Sequence, residues 1–238
     1  MKITVIGAGN VGATLALRAA EGGLGDVTLI DVVEGLAAGK ALDIEDAAPI
    51  AGHEARVTGT TDFGAMAGSD IVVITAGLAR KPGMSRDDLI SKNGGIVRGI
   101  ALKIRSHCPD AIIIVVTNPL DVMSYLVYSA GGFHKSKVMG MAGTLDTARF
   151  RNIIAGELGV RRAEISTCVL GNHGDSMVPL ISRTTVKGRP ISEVVGSDKL
   201  REMVSRTRDR GGRDSSVPQI RQRLLFSERR GNRNDKVR

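Results

Sequence analysis

Aromatic residues are scarce in this sequence. Its 238 residues contain no tryptophan, two tyrosines and four phenylalanines. A chain of this length can bury a core as one large domain or as two smaller ones, and here that core has to consist mainly of Ile, Val, Leu and Ala. Apolar residues make up 42% and charged residues 24%, as in an ordinary soluble globular protein.

Cysteines and long apolar runs are also few. The two cysteines, Cys108 and Cys168, are 60 positions apart, with no CxxC pair and no histidine cluster beside them. This spacing excludes a disulfide framework and a zinc site, and it is compatible with a reducing cytoplasm. A predicted strand that begins at Lys2 leaves no room for a signal peptide, and no apolar run has the length of a membrane span. We therefore expect a soluble, cytoplasmic protein without a metal site.

The excess of positive charge is confined to one end of the sequence. The net charge is +8, and residues 199–238 alone carry 13 basic and 5 acidic residues. The rest of the chain is neutral, so the charge does not mark the folded body as a nucleic-acid binder. The basic end has a single aromatic residue, Phe226, which leaves phosphate attraction without base stacking. Nucleic acid is therefore an unfavoured partner.

Short apolar runs alternate with helical patterns through residues 1–142. Continuous β-branched runs such as 71–75 and 112–116 are typical of parallel strands that are covered on both faces. Helical spacing follows at 11–21, at 36–47 and at 87–106, and Pro49 is expected to end the second of these helices. The alternation predicts an α/β fold built on a Rossmann-type, doubly wound parallel sheet.

The pattern changes after about residue 137. A predicted helix over 146–158 precedes two segments, 165–170 and 180–186, that have the pattern of antiparallel strands. We predict an incomplete α+β substrate lobe over 143–208. Residues 209–238 are rich in Arg, Gly, Ser and Asn, which is typical of a disordered tail, although 220–226 has the pattern of a brief helix.

A glycine-rich turn separates the first predicted strand from the first predicted helix. Gly7, Gly9 and Gly12 form the pattern G-x-G-x-x-G, in which the first glycine permits a tight turn, the second lets the backbone approach a pyrophosphate and the third lets helix and strand pack closely. Asp31 lies 19 residues after Gly12, where a carboxylate accepts hydrogen bonds from ribose hydroxyls and repels a 2′-phosphate. The pattern favours NAD over NADP; the alternative is a purely steric glycine turn.

Five segments carry, in order, a resemblance to a known family. They are VIGAGNVG at 5–12, GLARKPGMSR at 77–86, VTNP at 116–119, LDTAR at 145–149 and GNHGD at 171–175. Over about residues 1–208 the sequence closely resembles malate dehydrogenases of the lactate-dehydrogenase-like type. The resemblance implies an NAD-dependent oxidoreductase of the tricarboxylic acid cycle that interconverts malate and oxaloacetate. It also implies a homo-oligomer in intact members of the family.

The resemblance makes His173 the proton donor and acceptor. An unperturbed imidazole titrates near neutrality, so it can give a proton to a ketone and take it back from an alcohol. By the same resemblance Asp146 holds the other ring nitrogen, and Arg149 clamps the C1 carboxylate of the substrate. The alternatives are a packing or surface histidine and a helix-surface ion pair, which three matches in order disfavour.

By the same resemblance, Arg80 and Arg86 belong to a loop that closes over the substrate; the alternative is a solvated basic turn between a strand and a helix. Arg80 matches the position that reads the far end of the substrate, where a guanidinium favours a second carboxylate over a methyl group. Arg86 matches the residue that polarises the C2 carbonyl. We therefore expect a small dicarboxylic 2-hydroxy or 2-keto acid as substrate. Lactate dehydrogenase is the alternative enzyme, and a non-catalytic NAD-binding module is the alternative from another class.

Further positions are carried over from the family. Asn118 matches a residue that hydrogen-bonds the substrate. Asn10 and Val11, the backbone of Val116 and the side chain of Asn93 match cofactor contacts. The alternative for Asn118 is ordinary turn chemistry before proline, and for Asn93 it is an exposed helix residue without a function.

The resemblance ends near Arg208. Family members continue with helices that complete the catalytic lobe and add a small hydroxyl residue to the pocket, whereas 209–238 has neither the apolar pattern nor the length for them. A change of reading frame near the 3′ end of the gene is our hypothesis for the arginine-rich end, and sequencing the locus tests it. Exposed apolar surface on the second lobe would then make catalysis weak or absent while NAD binding is largely kept.

Overall fold

The computed structural model of the protein describes residues 1–79, 83–173 and 176–213. Within these ranges the side chains of Arg86 and of residues 210–213 are left undescribed. The tail predicted from residue 209 therefore lies largely outside the described residues, as does the brief helix predicted over 220–226. In the ranges that are described, no helix combines the length and the apolar character that crossing a bilayer requires.

Six parallel strands form the sheet of the first lobe, as far as the chain is described. They are β1 (Lys2–Ile6), β2 (Asp26–Ile30), β3 (Val57–Thr60), β4 (Ile71–Ile74), β5 (Ile112–Val115) and β6 (Val138–Gly140). Their order is β3-β2-β1-β4-β5-β6, so the direction of winding reverses between β1 and β4. Open α/β sheets bind ligands beyond the carboxyl ends of the strands at such a point. The predicted doubly wound sheet is confirmed.

Helices cover both faces of this sheet. They are α1 (Asn10–Glu21), α2 (Leu36–Ala51), α3 (Arg86–His107) and α4 (Leu120–Gly131). Successive strand residues point into two different cores: Val5 and Leu29 pack in one cluster with residues of α1 and α2, whereas Ile6 and Ile74 pack in the other with residues of α3 and α4. Coverage on both faces explains why the strands are continuously apolar rather than alternating.

Helix α2 continues through Pro49, so the predicted end before this residue is wrong. Pro49 lies in the last turn of the helix, where its missing N–H removes one hydrogen bond close to the end and leaves the interior ladder intact. The helix ends instead at Gly52, which has a left-handed backbone with φ of 76° and donates its N–H to the carbonyl of Ala48 at 2.8 Å. A glycine in this conformation is a common helix terminator.

The second lobe is mainly helical, with short strands. Its elements are α5 (Gly143–Leu158), β7 (Ile165–Ser166), β8 (Val169–Leu170), β9 (Val178–Pro179), β10 (Thr185–Val186), β11 (Arg189–Pro190), α6 (Ile191–Val194) and α7 (Ser197–Arg213). The predicted antiparallel pairing is confirmed between β7 and β10. The prediction of two long strands is wrong. A 3₁₀ turn at Ile181–Arg183 interrupts the segment 180–186, and β8, in the segment 165–170, pairs with β9 instead. Helix α7 extends five residues past the predicted lobe boundary at 208.

An ion cluster joins α5 to α7. Glu157 lies near the end of α5. Its Oε2 accepts a hydrogen bond from Nζ of Lys199 at 2.7 Å, and its Oε1 accepts one from Nη1 of Arg206. Glu202 of α7 lies 3.2 Å from the same lysine and 3.4 Å from the same arginine. The hydrogen bond from Lys199, followed by that from Arg206, lowers the pKa of Glu157. The cluster therefore fastens the last described helix to the lobe in a way that depends on an ionised carboxylate.

We expect Glu157→Gln to destabilise the protein at neutral pH and to have little effect in acid. Because the pKa of the folded-state carboxyl is lowered, its contribution is complete above the unfolded value of about 4.3 and is lost as the pH falls through the folded value. Urea unfolding of both proteins at about pH 7 and about pH 3 measures this, and the difference in unfolding free energy should shrink in acid.

Glu193→Gln is the control for this prediction. Glu193 lies 3.8 Å from Arg189, and both side chains are more than half exposed, at 57% and 67%. Such a surface pair contributes little to stability, so the substitution should change unfolding only slightly at either pH. A Glu157→Gln effect that is as large at low pH as at neutral pH would contradict the charge-based explanation.

Candidate active site

The glycine turn closes the carboxyl end of β1 against β4. Gly7 has φ of 107°, and a Cβ at this position would lie 2.6 Å from the backbone nitrogen of Ala76. A Cβ at Gly12 would overlap the carbonyl oxygen of Gly7. At Gly9, in contrast, no described atom other than those of Gly9 and its chain neighbours lies within 4 Å of the Cβ position. Packing therefore requires the first and third glycines, whereas the second faces open space, here called the cradle.

Helix α1 begins directly after this cradle. Asn10 and Val11 are exposed in its first turn, and first-turn N–H groups lack intrahelical partners and attract anions. Asp31 lies at the end of β2, where its Oδ2 accepts from the Ala8 N–H at 2.6 Å and its Oδ1 accepts from the Val33 N–H at 2.9 Å. Each carboxylate oxygen has a further lone pair for a ribose hydroxyl. The residues present therefore fit a pyrophosphate and a ribose.

Two threonines tie the strand ends together beside the turn, and sequence reasoning missed both. The Thr75 hydroxyl is within hydrogen-bond distance of the carbonyls of Ile6 (3.2 Å) and Gly7 (3.0 Å). The Thr117 hydroxyl donates to the carbonyl of Ala76 at 2.8 Å. Threonine is a common strand residue, so neither stands out in a β-branched run. The available signal is a threonine one or two residues after the end of a strand, as Thr75 follows β4 and Thr117 follows β5.

Asp146, His173 and Arg149 meet at the start of α5. Asp146 is 1% exposed; its Oδ2 lies 2.8 Å from Nδ1 of His173 and its Oδ1 lies 3.3 Å from Nη1 of Arg149. A carboxylate only accepts, so Nδ1 donates and Nε2 is the ring nitrogen left for proton exchange. Asp146 and Arg149 share a helix face through their spacing of three, and His173 follows β8. The structure thus brings the three predicted side chains together.

The predicted residues near the end of β5 differ in exposure. Asn118 is exposed and precedes Pro119 with a cis peptide bond, and the Val116 N–H donates to the carbonyl of Ile74 at 2.9 Å. Asn93 is only 1% exposed, so the alternative of an exposed helix residue is wrong. Its amide is bonded to the backbone of Leu78 and Asn118.

Two predicted substrate contacts, Arg80 and the side chain of Arg86, lie outside the described residues, so their roles stay predictions. For Arg86 the backbone alone is described. Arg86 is the first residue of α3 and follows the N-cap residue Ser85, which exchanges capping hydrogen bonds with Asp88. In the part of the chain that is described, no three His, Cys, Asp or Glu side chains cluster as a metal site requires. The undescribed members of the five family-like segments are Arg80, Lys81, Pro82, Gly174 and Asp175.

Two family models match the sequence of this chain. The model of the lactate/malate dehydrogenase NAD binding domain matches residues 1–140. The model of the lactate/malate dehydrogenase alpha/beta C-terminal domain matches residues 143–213. The chain belongs to the lactate/malate dehydrogenase family.

Individual members of the lactate/malate dehydrogenase family are similar along most of the chain. The malate dehydrogenase of Desulforudis audaxviator is 54% identical over 210 residues, which are 88% of this chain and 68% of that protein. The solved malate dehydrogenase of Salinibacter ruber is 46% identical, with a TM-score of 0.85 over 92% of this chain and 70% of the other. A lactate dehydrogenase of Cryptosporidium parvum, solved with lactic acid and nicotinamide adenine dinucleotide, is 40% identical, with a TM-score of 0.83 over 87% and 67%.

Membership of the lactate/malate dehydrogenase family assigns a nucleotide to the region beside the glycine turn, beyond the carboxyl ends of β1 and β4, here called the crevice. The matched NAD binding domain contains the reversal point between β1 and β4, the cradle at Gly9 and the carboxylate of Asp31. These features fit an NAD(H)-type nucleotide. The chain spans about two thirds of the length of the relatives that it matches, with 68% of the D. audaxviator protein covered.

Proposed function

We propose that the chain is an NAD-dependent malate dehydrogenase that interconverts malate and oxaloacetate. The observation that carries this proposal is the 2.8 Å hydrogen bond between Asp146 Oδ2 and His173 Nδ1, with Arg149 on the second carboxylate oxygen. The three groups are a proton carrier, its charged partner and a cation for an acid substrate. They occur in a member of the lactate/malate dehydrogenase family.

Reduction of a 2-keto acid needs a hydride at C2 and a proton on the carbonyl oxygen. Bound NADH supplies the hydride. The protonated His173 donates its Nε2 proton to the oxygen and becomes neutral; in malate oxidation the same nitrogen takes the proton from the hydroxyl. Asp146 orients the ring and stabilises its charged form, and its burial protects this interaction from water.

Basic side chains select the acid substrate in this proposal. Arg149 pairs with the C1 carboxylate in this proposal, because a planar guanidinium can present two parallel N–H donors to a carboxylate. Arg80 binds the second carboxylate and Arg86 stabilises the charge that develops on the C2 oxygen. The amide of Asn118 adds a hydrogen bond to the substrate. A dicarboxylic acid satisfies both cations, whereas a methyl group leaves Arg80 unpaired.

The cofactor in this proposal is NAD rather than NADP. The cradle at Gly9 and the first turn of α1, with Asn10 and Val11, receive the pyrophosphate. Asp31 accepts from the ribose hydroxyls and repels a 2′-phosphate. The backbone of Val116, which follows β5, contacts the nicotinamide half in this proposal.

Binding and rate measurements on the purified chain test the proposed function. We expect NADH to bind at least about tenfold more tightly than NADPH, and NADH oxidation to be faster with oxaloacetate than with pyruvate. Faster oxidation with pyruvate would indicate a lactate dehydrogenase. NADH binding without turnover of either acid, measured at micromolar protein, would indicate a non-catalytic module.

A further inference from the structure

A buried amide bridges the segments that follow β4 and β5. Asn93 of α3 accepts the Leu78 N–H on Oδ1 at 2.8 Å. Its Nδ2 donates to the carbonyl of Asn118 at 2.7 Å and to the carbonyl of Leu78 at 3.3 Å. The amide has two N–H donors, and both are directed at these backbone oxygens. One side chain therefore sets the separation of two segments that flank the crevice.

The surroundings of this amide are tightly packed. A Cβ at Gly77 would lie 2.6 Å from Cγ2 of Thr117 and 3.3 Å from Cγ of Asn93. The two segments thus approach too closely for a larger residue at Gly77, and Asn93 fills the space behind them. A buried amide that loses its partners incurs a large desolvation penalty, so the three hydrogen bonds resist displacement of either segment.

We propose that Asn93 is a positioning residue for the acid-binding side of the crevice. It acts through its bond to the Asn118 carbonyl, and a direct contact with the dinucleotide, the role carried over from the family, is the alternative that the Kd for NADH tests. This inference rests on the proposed function, in which the exposed side chain of Asn118 hydrogen-bonds the substrate. The bond from Asn93 restrains the peptide that follows Asn118, and the direction of that side chain depends on its own backbone.

Two substitutions of Asn93 distinguish its hydrogen bond to Asn118 from its hydrogen bond to the Leu78 N–H. Asn93→Asp keeps an acceptor for the Leu78 N–H and removes the donor to Asn118, whereas Asn93→Leu removes both. The substrate probe is malate in the presence of saturating NADH, a pair in which both partners are already reduced and no reaction follows. Calorimetry gives the Kd for malate, fluorescence gives the Kd for NADH, and NMR gives the exchange rate of the Leu78 amide proton.

For Asn93→Asp we expect the Kd for malate to rise about tenfold or more, with the Kd for NADH within about threefold of the parent value. The exchange rate of the Leu78 amide should stay near that of the parent. For Asn93→Leu the malate result should be the same, but the Leu78 amide should exchange about tenfold faster. If the Asp variant shows no cooperative thermal transition, Asn93→Ser removes the bond to Asn118 without a buried charge, and the same split between malate and NADH is expected.

Thr184→Val is the matched control. Thr184 is 1% exposed, and its hydroxyl bonds Thr167 Oγ1 and the carbonyl of Leu180, both at 2.8 Å. The substitution removes buried hydrogen bonds in the second lobe, so it should lower stability and leave both Kd values unchanged. A rise in the Kd for NADH that equals the rise for malate in Asn93→Asp, or an unchanged Kd for malate, overturns the inference. A parent chain that binds NADH but not malate defeats the proposed function and this inference with it.

Discussion

Replacing Asp146 with asparagine is expected to lower the rate of malate oxidation by about 10²- to 10⁴-fold. Arg149 only donates hydrogen bonds, so the amide oxygen of the new residue should turn to the guanidinium and its NH₂ group to Nδ1 of His173. The ring proton then moves to Nε2, the nitrogen that has to accept the proton from the hydroxyl. The substitution also removes the negative charge that stabilises the protonated ring.

The measurement is NAD reduction with malate at micromolar protein, so that slow turnover remains visible. The Kd for NADH should stay within about threefold of the parent value, because Asp146 lies on α5 and the glycine turn lies on β1 and α1. Asp110→Asn is the matched control, since Asp110 is exposed and the change removes one carboxylate from the surface. A folded Asp146→Asn variant that loses less than about tenfold in rate would mean that the pair with His173 takes no part in proton transfer.

The central strands could be predicted from the sequence and the edge strands could not. The runs that become β1, β4 and β5 are continuously apolar because helices cover both of their faces. The two strands missed by sequence reasoning, β3 and β6, are the outer strands of the sheet. The first reads VTGT and the second has three residues, so neither forms a distinct apolar run. Their strand conformation depends on pairing with a neighbour.

In the candidate site, too, the sequence predicted contacts between residues close in the chain better than contacts that depend on the tertiary fold. Asp146 and Arg149 are three residues apart in one helix, so their shared face follows from spacing. His173 lies 27 residues from Asp146, and it was placed beside the carboxylate only through the order of the family-like segments. The burial of Asn93 was misjudged, because helical spacing does not reveal that the segments after β4 and β5 cover that part of α3. Arg80 stays a sequence prediction.

The glycine turn allows binding and folding to be tested separately. Gly12→Ala is expected to weaken NADH binding at least about 100-fold and to destabilise the fold by about 2 kcal/mol or more, because its Cβ would overlap the carbonyl of Gly7 and lie 2.7 Å from Oγ1 of Thr75. Gly9→Ala is expected to weaken NADH binding by about 10- to 100-fold with little loss of stability. Its backbone, with φ of −65° and ψ of −176°, suits alanine, and its methyl group would occupy the open cradle.

Urea unfolding and NADH fluorescence titration measure the two effects, and Gly39→Ala is the control. Gly39 lies exposed in α2, with open space around its Cβ position in the described part of the chain. The methyl group should therefore stabilise the helix by about 0.5–1 kcal/mol and leave the Kd for NADH unchanged. If Gly9→Ala bound NADH as tightly as Gly39→Ala does, the pyrophosphate would have to lie elsewhere than in the cradle. A loss of affinity for NADH in a stable Gly9→Ala protein would show that the ligand approaches the backbone closely at Gly9. The steric requirement for glycine at positions 7 and 12 would not explain that result.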